Sequence, residues 1–341
     1  MLYGVIIAGG RGERFWPCST RKHPKQLIPI ASSKPMIVET VNRILPLIPR
    51  KKIIVVANKE LNPILKKLTP GVKKLLEPFG RNTACAIGYT AINLKENDVM
   101  AVLPADHWIP DGREFLNAIE KAVEIANQGW LVTFGITPKR AETGYGYIEV
   151  GDEITGSIYK VKNFKEKPNQ KEAQEFIHAG RFLWNSGIFV WRVDKILQAF
   201  HSCMPELYDD LMKLKRRQIS LVQLYNKAQN ISIDYGVMEK CQNVAVVKSN
   251  FTWDDVGSWT SLERLHSLDK HNNVKLGLHS GIDTKDCIIV STNGAIATIG
   301  VSDLVIVQSD NVVFVCDRNR IDEIKSLVRQ IGEDKDFEKY L

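Results

Sequence analysis

The first half of the chain alternates short, continuous apolar runs with segments whose apolar residues recur at helical spacing. The apolar runs span residues 5–8, 53–57, 99–103 and 131–135, and the helical segments span 36–47, 62–68, 83–94 and 115–127. Asn82 or Thr83 is the expected N-cap of the third helix. Continuous β-branched strands that alternate with helices are typical of parallel sheets. The sequence therefore predicts an α/β fold with a mostly parallel central sheet.

A loop rich in glycine and basic residues follows the first apolar run. It reads GGRGERFWPCSTRKHPK from Gly9 to Lys25. Glycines let backbone N–H groups approach an anion closely, and Arg11, Arg14 and Lys25 add positive charge. The spacing matches neither GxGxxG nor GxxxxGK[ST], which excludes two better-known nucleotide loops. We predict a phosphate-binding loop, and a Gly-rich turn with solvated charges is the alternative.

Parallel sheets bind ligands at the carboxyl ends of their strands, so the residues that follow each strand are candidates. This rule places the loop at Gly9, residues 77–82 and Asp106 on one edge of the sheet. The carboxylate of Asp106 is an oxygen ligand of the kind that Mg²⁺ prefers. The segment WDDVGSW at 253–259 offers a second acidic site. An Asp that starts a turn is the alternative for Asp106.

The segment EPFGRNT, residues 77–83, precedes the Ala-rich third helix. A carboxylate such as Glu77 can accept both neighbouring N–H donors on the Watson–Crick edge of guanine. Gly80 would let the backbone approach the base. A loop that enters a helix explains the same residues.

Several compact polar clusters lie beside apolar runs and suit a hydroxyl-rich ligand. The candidates are Gly144, Tyr145, Gly146, Glu166, Lys167, Asn185 and Asp234. Glu166 and Asn185 are predicted to hydrogen-bond sugar hydroxyls, and Lys167 to hold a phosphate monoester. A Gly-rich hairpin explains residues 142–147 equally well. The seven histidines show no HxxxH or HxH spacing, which argues against a zinc site.

The second half changes in character. Residues 145–192 are strand-rich with a helix near 171–179, residues 193–229 are largely helical, and 259–268 is predicted to be a linking helix. Four β-rich runs then follow at 287–290, 295–299, 304–308 and 312–316, before an amphipathic helix at 321–331. The spacing indicates a small sandwich or a β-solenoid fragment. Such a tail can hardly bury its own core, so it is expected to pack on the first domain or on another subunit.

Composition narrows the class of protein. A chain of 341 residues suggests two domains, and the net charge of +7 fits a small anionic substrate. The basic patches carry few aromatic residues, so nucleic acid is not an expected partner. The six scattered cysteines indicate reduced thiols and a cytoplasmic location. We expect no signal peptide and no membrane partner, because no apolar stretch reaches the roughly 20 residues of a membrane helix.

Together these segments resemble the sugar-nucleotide pyrophosphorylases, and within them the bacterial mannose-1-phosphate guanylyltransferases (GDP-mannose pyrophosphorylases). The matching motifs occur in order between Ile7 and Trp259: IAGG with FWP and PKQ, EP with GRNTA, DH, ETGYGYI, F-x-EKP, WNSG, IDY with VMEK, and W-x-DVGSW. The chain departs from the family at three positions. Cys85 stands where the family usually has Pro, Ala105 where Ser is usual, and Asp254 where Ser or Asn is common.

The resemblance implies a Rossmann-like nucleotidyltransferase catalytic domain over residues 1–265. It also implies a short C-terminal left-handed β-helix fragment with a terminal helix over 266–341, used in dimer contacts. The implied reaction joins GTP and α-D-mannose 1-phosphate into GDP-mannose and pyrophosphate, with Mg²⁺ as cofactor, in a cytoplasmic homodimer. Because this sequence lacks the long fusion domain of some relatives, we expect no phosphomannose isomerase activity.

The resemblance also implies roles for individual residues. The catalytic residues are Arg14, Lys25, Asp106 and Asp255, and the metal ligands are Asp106 and Asp255. Asp255 is preferred to Asp254 because it is the Asp of the DVG element. The nucleotide-binding residues are Ala8, Gly9, Gly10, Gly12, Arg14, Lys25, Glu77, Gly80, Asn82 and Asp106. The sugar-phosphate residues are Gly144, Tyr145, Gly146, Glu166, Lys167, Asn185 and Asp234.

Two other functions remain open at this point. One is a pyrophosphorylase for another pair of substrates, such as glucose 1-phosphate with dTTP or UTP. The expected base is guanine instead of thymine or uracil, because it is favoured by Glu77, Arg81 and Asn82. The other is a non-catalytic regulatory subunit of the same fold, and the presence of Arg14, Lys25, Asp106 and Asp255 argues against it.

Overall fold

A computed structural model describes residues 1–10 and 12–341. Arg11, predicted above to bind phosphate, lies outside the described residues. The chain forms two compact units. Unit 1 comprises Met1–Gly9, Thr40–Ala105 and Ile109–Trp253, and unit 2 comprises Gly10–Glu39, Asp106–Trp108 and Asp254–Leu341. The Gly- and Arg-rich loop therefore belongs to the same unit as the C-terminal tail.

Unit 1 contains one large sheet with helices before and between its strands. The strands are β1 Leu2–Ile7, β2 Ile53–Asn58, β3 Lys73–Glu77, β4 Val99–Pro104, β5 Leu131–Ile136, β6 Tyr147–Thr155, β7 Ile158–Lys165, β8 Phe182–Arg192 and β9 Val244–Ser249. The helices are α1 Met36–Ile44, which begins in unit 2, α2 Asn62–Leu68, α3 Asn82–Ala91, α4 Gly112–Asn127, α5 Gln170–Ala179, α6 Val193–Cys203, α7 Pro205–Lys215 and α8 Leu221–Lys227.

The nine strands lie in the order β3-β2-β1-β4-β8-β5-β9-β7-β6. β7 and β8 run opposite to the other strands of this sheet, which confirms the prediction of a mostly parallel sheet. The apolar runs of the first half became β1, β2, β4 and β5, and their side chains are largely buried, as parallel strands covered on both faces require.

The predicted N-cap of the third helix was wrong. α3 begins at Asn82, and the residue that precedes it is Arg81, whose side chain caps nothing. Asn82 itself has a left-handed backbone (φ 61°), and its Oδ1 accepts from the adjacent N–H of Thr83 at 2.9 Å. Its side chain therefore closes a local turn instead of satisfying the donors further into the helix.

The β-rich tail in unit 2 is more extended than the sequence predicted. Its elements are α9 Leu262–Leu265, β10 Val274–Lys285, β11 Ile288–Ser302, β12 Leu304–Ser309, β13 Val312–Asp317 and α10 Ile324–Glu333. Two predicted runs are one long strand, β11, and β10 was missed because most of its side chains are exposed and polar. The linking helix is shorter than predicted, since the backbone is already extended at His266.

Pairing in the tail follows a solenoid pattern. β10, β11 and β12 are parallel neighbours, and β13 returns antiparallel to β12. Leu278 pairs with Ala295 and Ile288 with Val305, in both cases 17 positions further along. Residues 274–276, which precede a register shift in β10, pair 14 positions further along. Parallel pairing at offsets of 14 to 17 positions means that each coil of the chain stacks on the next.

The tail shares its core with residues 10–39 of the same unit. The rings of Phe15 and Trp259 lie 5.0 Å apart edge to face, and the indole N–H of Trp259 donates to the carbonyl of Trp16 at 3.1 Å. Val256, Ile288 and other apolar side chains of the tail fill the same cluster. In the part of the chain that the structure describes, no helix is long and apolar enough to cross a membrane.

Candidate functional site

In unit 1, the carboxyl ends of β1, β3 and β4 lie on one edge of the sheet. The N–H of Ala8 donates to Val56 at 2.8 Å, and the N–H of Ala105 donates to Ile7 at 3.0 Å, so the parallel ladder continues past the strand ends. A Cβ added to Gly9 would lie 3.3 Å from Oε2 of Glu77. The structure therefore brings Ala8, Gly9 and Glu77 together, and a side chain at position 9 would crowd the carboxylate.

Glu77 is a buried carboxylate with one defined partner. Its side chain accepts a hydrogen bond from the hydroxyl of Tyr225, with 3.0 Å between that oxygen and Oε1. Burial raises the pKa of Glu77 to about 7, and the Tyr225 hydrogen bond opposes that rise. Gly80 is exposed with open space around it, and Asn82 is exposed as well. This edge can therefore admit a flat ligand with N–H donors.

A second polar cluster in unit 1 is built around Glu166. Its backbone N–H donates to Oε1 of Glu239 at 2.8 Å, and its Oε1 lies 3.5 Å from Nζ of Lys167. Asn185 donates from Nδ2 to Oδ1 of Asp234 at 2.8 Å. Gly146 faces this cluster closely, because an added Cβ would overlap Oε2 of Glu166. The structure thus brings together five residues that the sequence predicted for the sugar phosphate: Gly146, Glu166, Lys167, Asn185 and Asp234. Glu239, which also belongs to the cluster, was noted in the sequence only as part of the VMEK motif.

One atom of this cluster lacks a partner. Oε2 of Glu166 is buried and has no hydrogen-bond partner among the residues that the structure describes, although the side chain is only 9% exposed. A buried carboxylate oxygen without a donor is costly, and such atoms mark ligand positions. A hydroxyl group from a bound molecule would satisfy it. The cluster therefore fits a ligand that carries hydroxyl groups.

Electrostatics in the cluster disfavours full ionisation. Burial and, next, the negative charge of Asp234 raise the pKa of Glu166 to about 7, and Lys167 opposes this rise. Burial also raises the pKa of Asp234. Buried acids that are close to one another resist carrying two charges at once. A neutral ligand that donates hydrogen bonds would relieve this repulsion.

We expect Glu166→Gln to stabilise the fold, more at pH 8 than at pH 5.5. Since the folded-state pKa of Glu166 is raised, the wild-type protein loses stability as pH rises from the unfolded-state pKa through about 7. Glutamine keeps the shape without this charge. Thermal melts at the two pH values measure the effect, and Glu175→Gln, at an exposed position of α5, serves as the control. An equal shift in melting temperature at both pH values would contradict the buried charge.

Tyr145 and Trp184 extend the second cluster with aromatic surface. Their rings lie 5.2 Å apart edge to face, and the ring of Trp253 lies 5.1 Å from that of Tyr145. The guanidinium of Arg140 lies 5.2 Å from the ring of Trp184. The indole Nε1 of Trp184 is buried and has no hydrogen-bond partner among the described residues. The sequence did not point to Arg140 or to this indole N–H donor. Gly144, which the sequence did predict, is exposed in the segment just before Tyr145.

In unit 2, Lys25 joins the two predicted metal-binding aspartates. Its Nζ lies 2.8 Å from Oδ2 of Asp106 and 2.7 Å from the backbone carbonyl oxygen of Asp255. Lys25 is buried at 6% exposure, whereas the side chain of Asp106 is 35% exposed. Burial alone would raise the pKa of Asp106, but the charges of Lys25 and His107, together with hydrogen bonds from Lys25 and the backbone, outweigh burial and lower the pKa. Asp106 is therefore a stable carboxylate with an accessible side.

The neighbouring Asp254 has a structural role instead. Its Oδ1 accepts from the backbone N–H of Val256 at 2.8 Å and from the guanidinium of Arg264 at 3.0 Å. Its backbone pairs with Trp108 in an isolated bridge. This buried, fully engaged acid anchors the segment that presents Asp255. Both carboxylate oxygens of Asp254 are engaged within the protein, and Asp255 stays the predicted ligand.

Gly12 shapes the loop that carries Lys25. Its φ of +66° is left-handed, and an added Cβ would overlap the Cβ of Lys25. Ser19 fixes the same turn by donating its hydroxyl to the carbonyl of Gly12 at 2.6 Å. Gly10 and Arg14 are exposed. Only glycine fits position 12, and the loop leaves Arg14 accessible to an anion.

The donor set of unit 2 fits a magnesium ion. Across residues 1–10 and 12–341, no group of three or more His, Cys, Asp or Glu side chains could hold a metal ion by itself. Lys25 Nζ contacts the carboxylate of Asp106 and the backbone carbonyl of Asp255, so these two acidic residues belong to one neighbourhood. Mg²⁺ is commonly bound by one or two carboxylates together with water and substrate phosphates, so two acids suffice.

Comparison with known proteins gives the family. Residues 3–272 match the profile of the family described as Nucleotidyl transferase. The chain belongs to the nucleotidyl transferase family. Residues 277–331 of this nucleotidyl transferase match a second profile, described as the MannoseP isomerase/GMP-like beta-helix domain. The solenoid pairing of β10 to β12 agrees with that description and confirms the β-helix-like tail.

Individual relatives of this nucleotidyl transferase agree with the profiles. It is 37% identical to mannose-1-phosphate guanylyltransferase from Salmonella muenchen over 96% of this chain and 72% of that relative. It is 35% identical to the Escherichia coli K12 protein of the same name, over 98% of this chain and 74% of the relative. A crystal structure described as mannose-1-phosphate geranyltransferase from Thermus thermophilus matches with a TM-score of 0.92 and 37% identity, over 97% of this chain and 99% of that one.

Proposed function

We propose that this nucleotidyl transferase catalyses transfer of the guanylyl group of GTP to α-D-mannose 1-phosphate, giving GDP-mannose and pyrophosphate. Its family and the names of relatives at 34–37% identity support this reaction. The observation that carries the choice of base is the buried carboxylate of Glu77, opposite Gly9. A carboxylate there matches the N1–H and N2–H donors of guanine and repels the acceptor nitrogen N1 of adenine.

The proposed chemistry is an in-line displacement at the α-phosphorus of GTP. A phosphate oxygen of the sugar phosphate forms a bond to that phosphorus, and the bond to the bridging oxygen of the β-phosphate breaks with its electron pair. Pyrophosphate leaves with that oxygen. The nucleophile is already ionised at neutral pH, so no general base is needed. Catalysis then consists of positioning two anions and neutralising their charge.

The residues of unit 2 are assigned to the phosphates. Lys25 and Arg14 would neutralise the triphosphate and the departing pyrophosphate, and the backbone N–H groups at Gly10 and Gly12 would cradle it. Asp106 and Asp255 would hold Mg²⁺. When bound, this ion neutralises charge on the α-phosphate.

The residues of unit 1 are assigned to the base and the sugar. Ala8, Gly9, Glu77, Gly80 and Asn82 would surround the guanine nucleotide. Oε2 of Glu166 would accept from a mannose hydroxyl, with Asn185 and Asp234 beside it. Lys167 has a largely exposed ammonium that would hold the sugar phosphate.

The test is a pyrophosphate-release assay with each pairing of GTP, ATP, dTTP or UTP with mannose 1-phosphate or glucose 1-phosphate, with and without Mg²⁺. We expect release with GTP, mannose 1-phosphate and Mg²⁺. Release with dTTP and glucose 1-phosphate but not with this pair would overturn the choice of substrates. No release with any pair would favour a non-catalytic subunit.

Further expectations extend the proposal. We propose a catalytic domain over residues 1–265 and a left-handed β-helix fragment over 266–341 that forms dimer contacts. We propose a homodimer in the cytoplasm, where the six free cysteines would stay reduced. Light scattering of the purified chain measures the oligomeric state.

A further inference from the structure

Tyr225 connects a distant helix to the proposed base-reading carboxylate. It lies in α8, far in sequence from β3, and its side chain is completely buried. Its hydroxyl donates to Oε1 of Glu77, and its backbone carbonyl accepts from Nε of Arg81 at 2.7 Å. No motif in the sequence points to this residue. One tyrosine thus contacts both ends of the loop that follows β3.

The ring of Tyr225 is held from several sides. Phe79 and Tyr89 pack against it edge to face, with ring centroids 6.0 and 6.3 Å away. α8 begins with a capping box in which the side chains of Ser220 and Gln223 each accept from the other's backbone N–H. A capped helix and two aromatic neighbours leave the hydroxyl little freedom. Its direction toward Glu77 is therefore a fixed property of the fold.

The two oxygens of Glu77 have different surroundings. Oε1 accepts from Tyr225, whereas Oε2 lies 3.3 Å from the position that a Cβ on Gly9 would take. Each carboxylate oxygen has two lone pairs, so the Tyr225 bond leaves acceptor capacity on both. A hydrogen bond to the ionised form also favours that form over the protonated one. A protonated Glu77 would present an O–H donor to the N–H donors of guanine, and two donors cannot form a hydrogen bond with each other.

We propose that Tyr225 is the positioning residue for base selection: its hydroxyl orients the Glu77 carboxylate and keeps it ionised, so that the carboxylate accepts both guanine N–H groups. The inference rests on the proposed function of Glu77. Tyr225 is completely buried and acts through Glu77. GTP binding then depends on pH in a way that this hydroxyl controls.

The charged and titratable groups around Glu77 are few. Tyr225 faces it from α8, and Cys85 and Tyr89 interact with it from α3. Arg81, in the intervening loop, acts on Cys85. Burial raises the pKa of Glu77 to about 7, and Tyr225 is the group that lowers it. Loss of the hydroxyl therefore raises the pKa of Glu77 further. As the pH falls, the carboxylate of the variant is then protonated at a higher pH than that of the wild-type protein.

The test is Tyr225→Phe, with GTP binding measured by calorimetry between pH 6 and pH 9. We expect affinity to fall about tenfold at pH 7, the scale of one hydrogen bond to a charged group. The deficit should shrink toward pH 9, where Glu77 is ionised in both proteins. Comparing variant with wild type at each pH cancels the titration of the nucleotide's own phosphates. A loss of GTP affinity that does not change with pH would mean that Tyr225 contributes only through packing, and it would overturn the proposal.

Two controls separate positioning from packing. Tyr208→Phe removes a hydroxyl from a tyrosine of α7 whose ring packs on His201, and it should leave GTP affinity unchanged. Adding Tyr225→Phe to Glu77→Gln should give no pH-dependent loss, because glutamine does not titrate. A pH-dependent loss in that background would contradict action through Glu77.

A direct measurement distinguishes this inference from the proposed function. Infrared spectroscopy of the nucleotide-free protein follows the Glu77 carboxylate, identified by its absence in Glu77→Gln. Its titration should move to higher pH in Tyr225→Phe, and an unmoved titration would overturn the control by Tyr225. If wild type binds no GTP while this shift occurs, the assignment of guanine fails and the effect of Tyr225 on Glu77 stands.

Discussion

Asp106→Asn is expected to lower kcat for pyrophosphate release by about 100-fold or more. Asparagine keeps the size of the side chain and removes the negative charge that pairs with Lys25 across 2.8 Å. The proposed metal would lose a charged ligand and the α-phosphate its neutralisation. The measurement is steady-state turnover of GTP and mannose 1-phosphate at saturating Mg²⁺.

The matched control for Asp106→Asn is Glu323→Gln. Glu323 is an exposed acid of unit 2 whose partner is Arg320, and its loss should leave turnover unchanged. Circular dichroism should show both variants folded, because the side chain of Asp106 is partly exposed. Near-normal turnover by Asp106→Asn would refute the assignment of this residue to the metal.

Lys25→Met is expected to lower kcat/KM for GTP by about 100- to 1,000-fold. Lys25 is buried and bridges Asp106 and the carbonyl of Asp255, so its loss removes one positive charge from the proposed triphosphate site and the cross-link between the aspartates. Methionine retains the apolar stem that packs near Phe15. The acid limb of the pH profile should also move upward, because Lys25 lowers the pKa of Asp106.

Lys22→Met is the control for Lys25→Met. Lys22 lies in the same loop, and its side chain is exposed, so we expect kcat/KM to change less than about twofold. Equal losses in the two variants would point to general electrostatic attraction instead of a specific role for Lys25. Substrate binding and turnover measured in the same buffer separate these outcomes.

The sequence predicted best those features that rest on local pattern. Continuous apolar runs identified β1, β2, β4 and β5, since a parallel strand buried on both faces cannot be polar. β10 carries exposed polar residues such as Ser280 and Asp283, and only its pairing with β11 makes it a strand. That pairing is non-local, and no pattern within residues 274–285 encodes it.

The residues of the candidate site also fall into two groups, those that sequence motifs identify and those that only the folded structure identifies. Asp106 and Lys25 stand in motifs, and the structure places them in direct contact. Tyr225 stands in no motif, and Trp184 was noted only as part of WNSG. The importance of the Tyr225 hydroxyl and of the Trp184 indole N–H comes from their surroundings after folding. The left-handed φ of Asn82 likewise follows from the loop geometry, whereas the sequence suggested an ordinary cap.

The short π-helix at Asp234–Met238 sets a limit on how this protein can change in length. The backbone N–H of Glu239 donates to the carbonyl of Asp234, five positions earlier in the chain. Both acids therefore face the same side. Asp234 reaches Asn185, and Glu239 reaches the backbone of Glu166. Deleting one residue between them would restore the α-helical register and turn Glu239 away by about 100°. Surface loops tolerate insertions and deletions, but in this segment the residue count itself is under constraint.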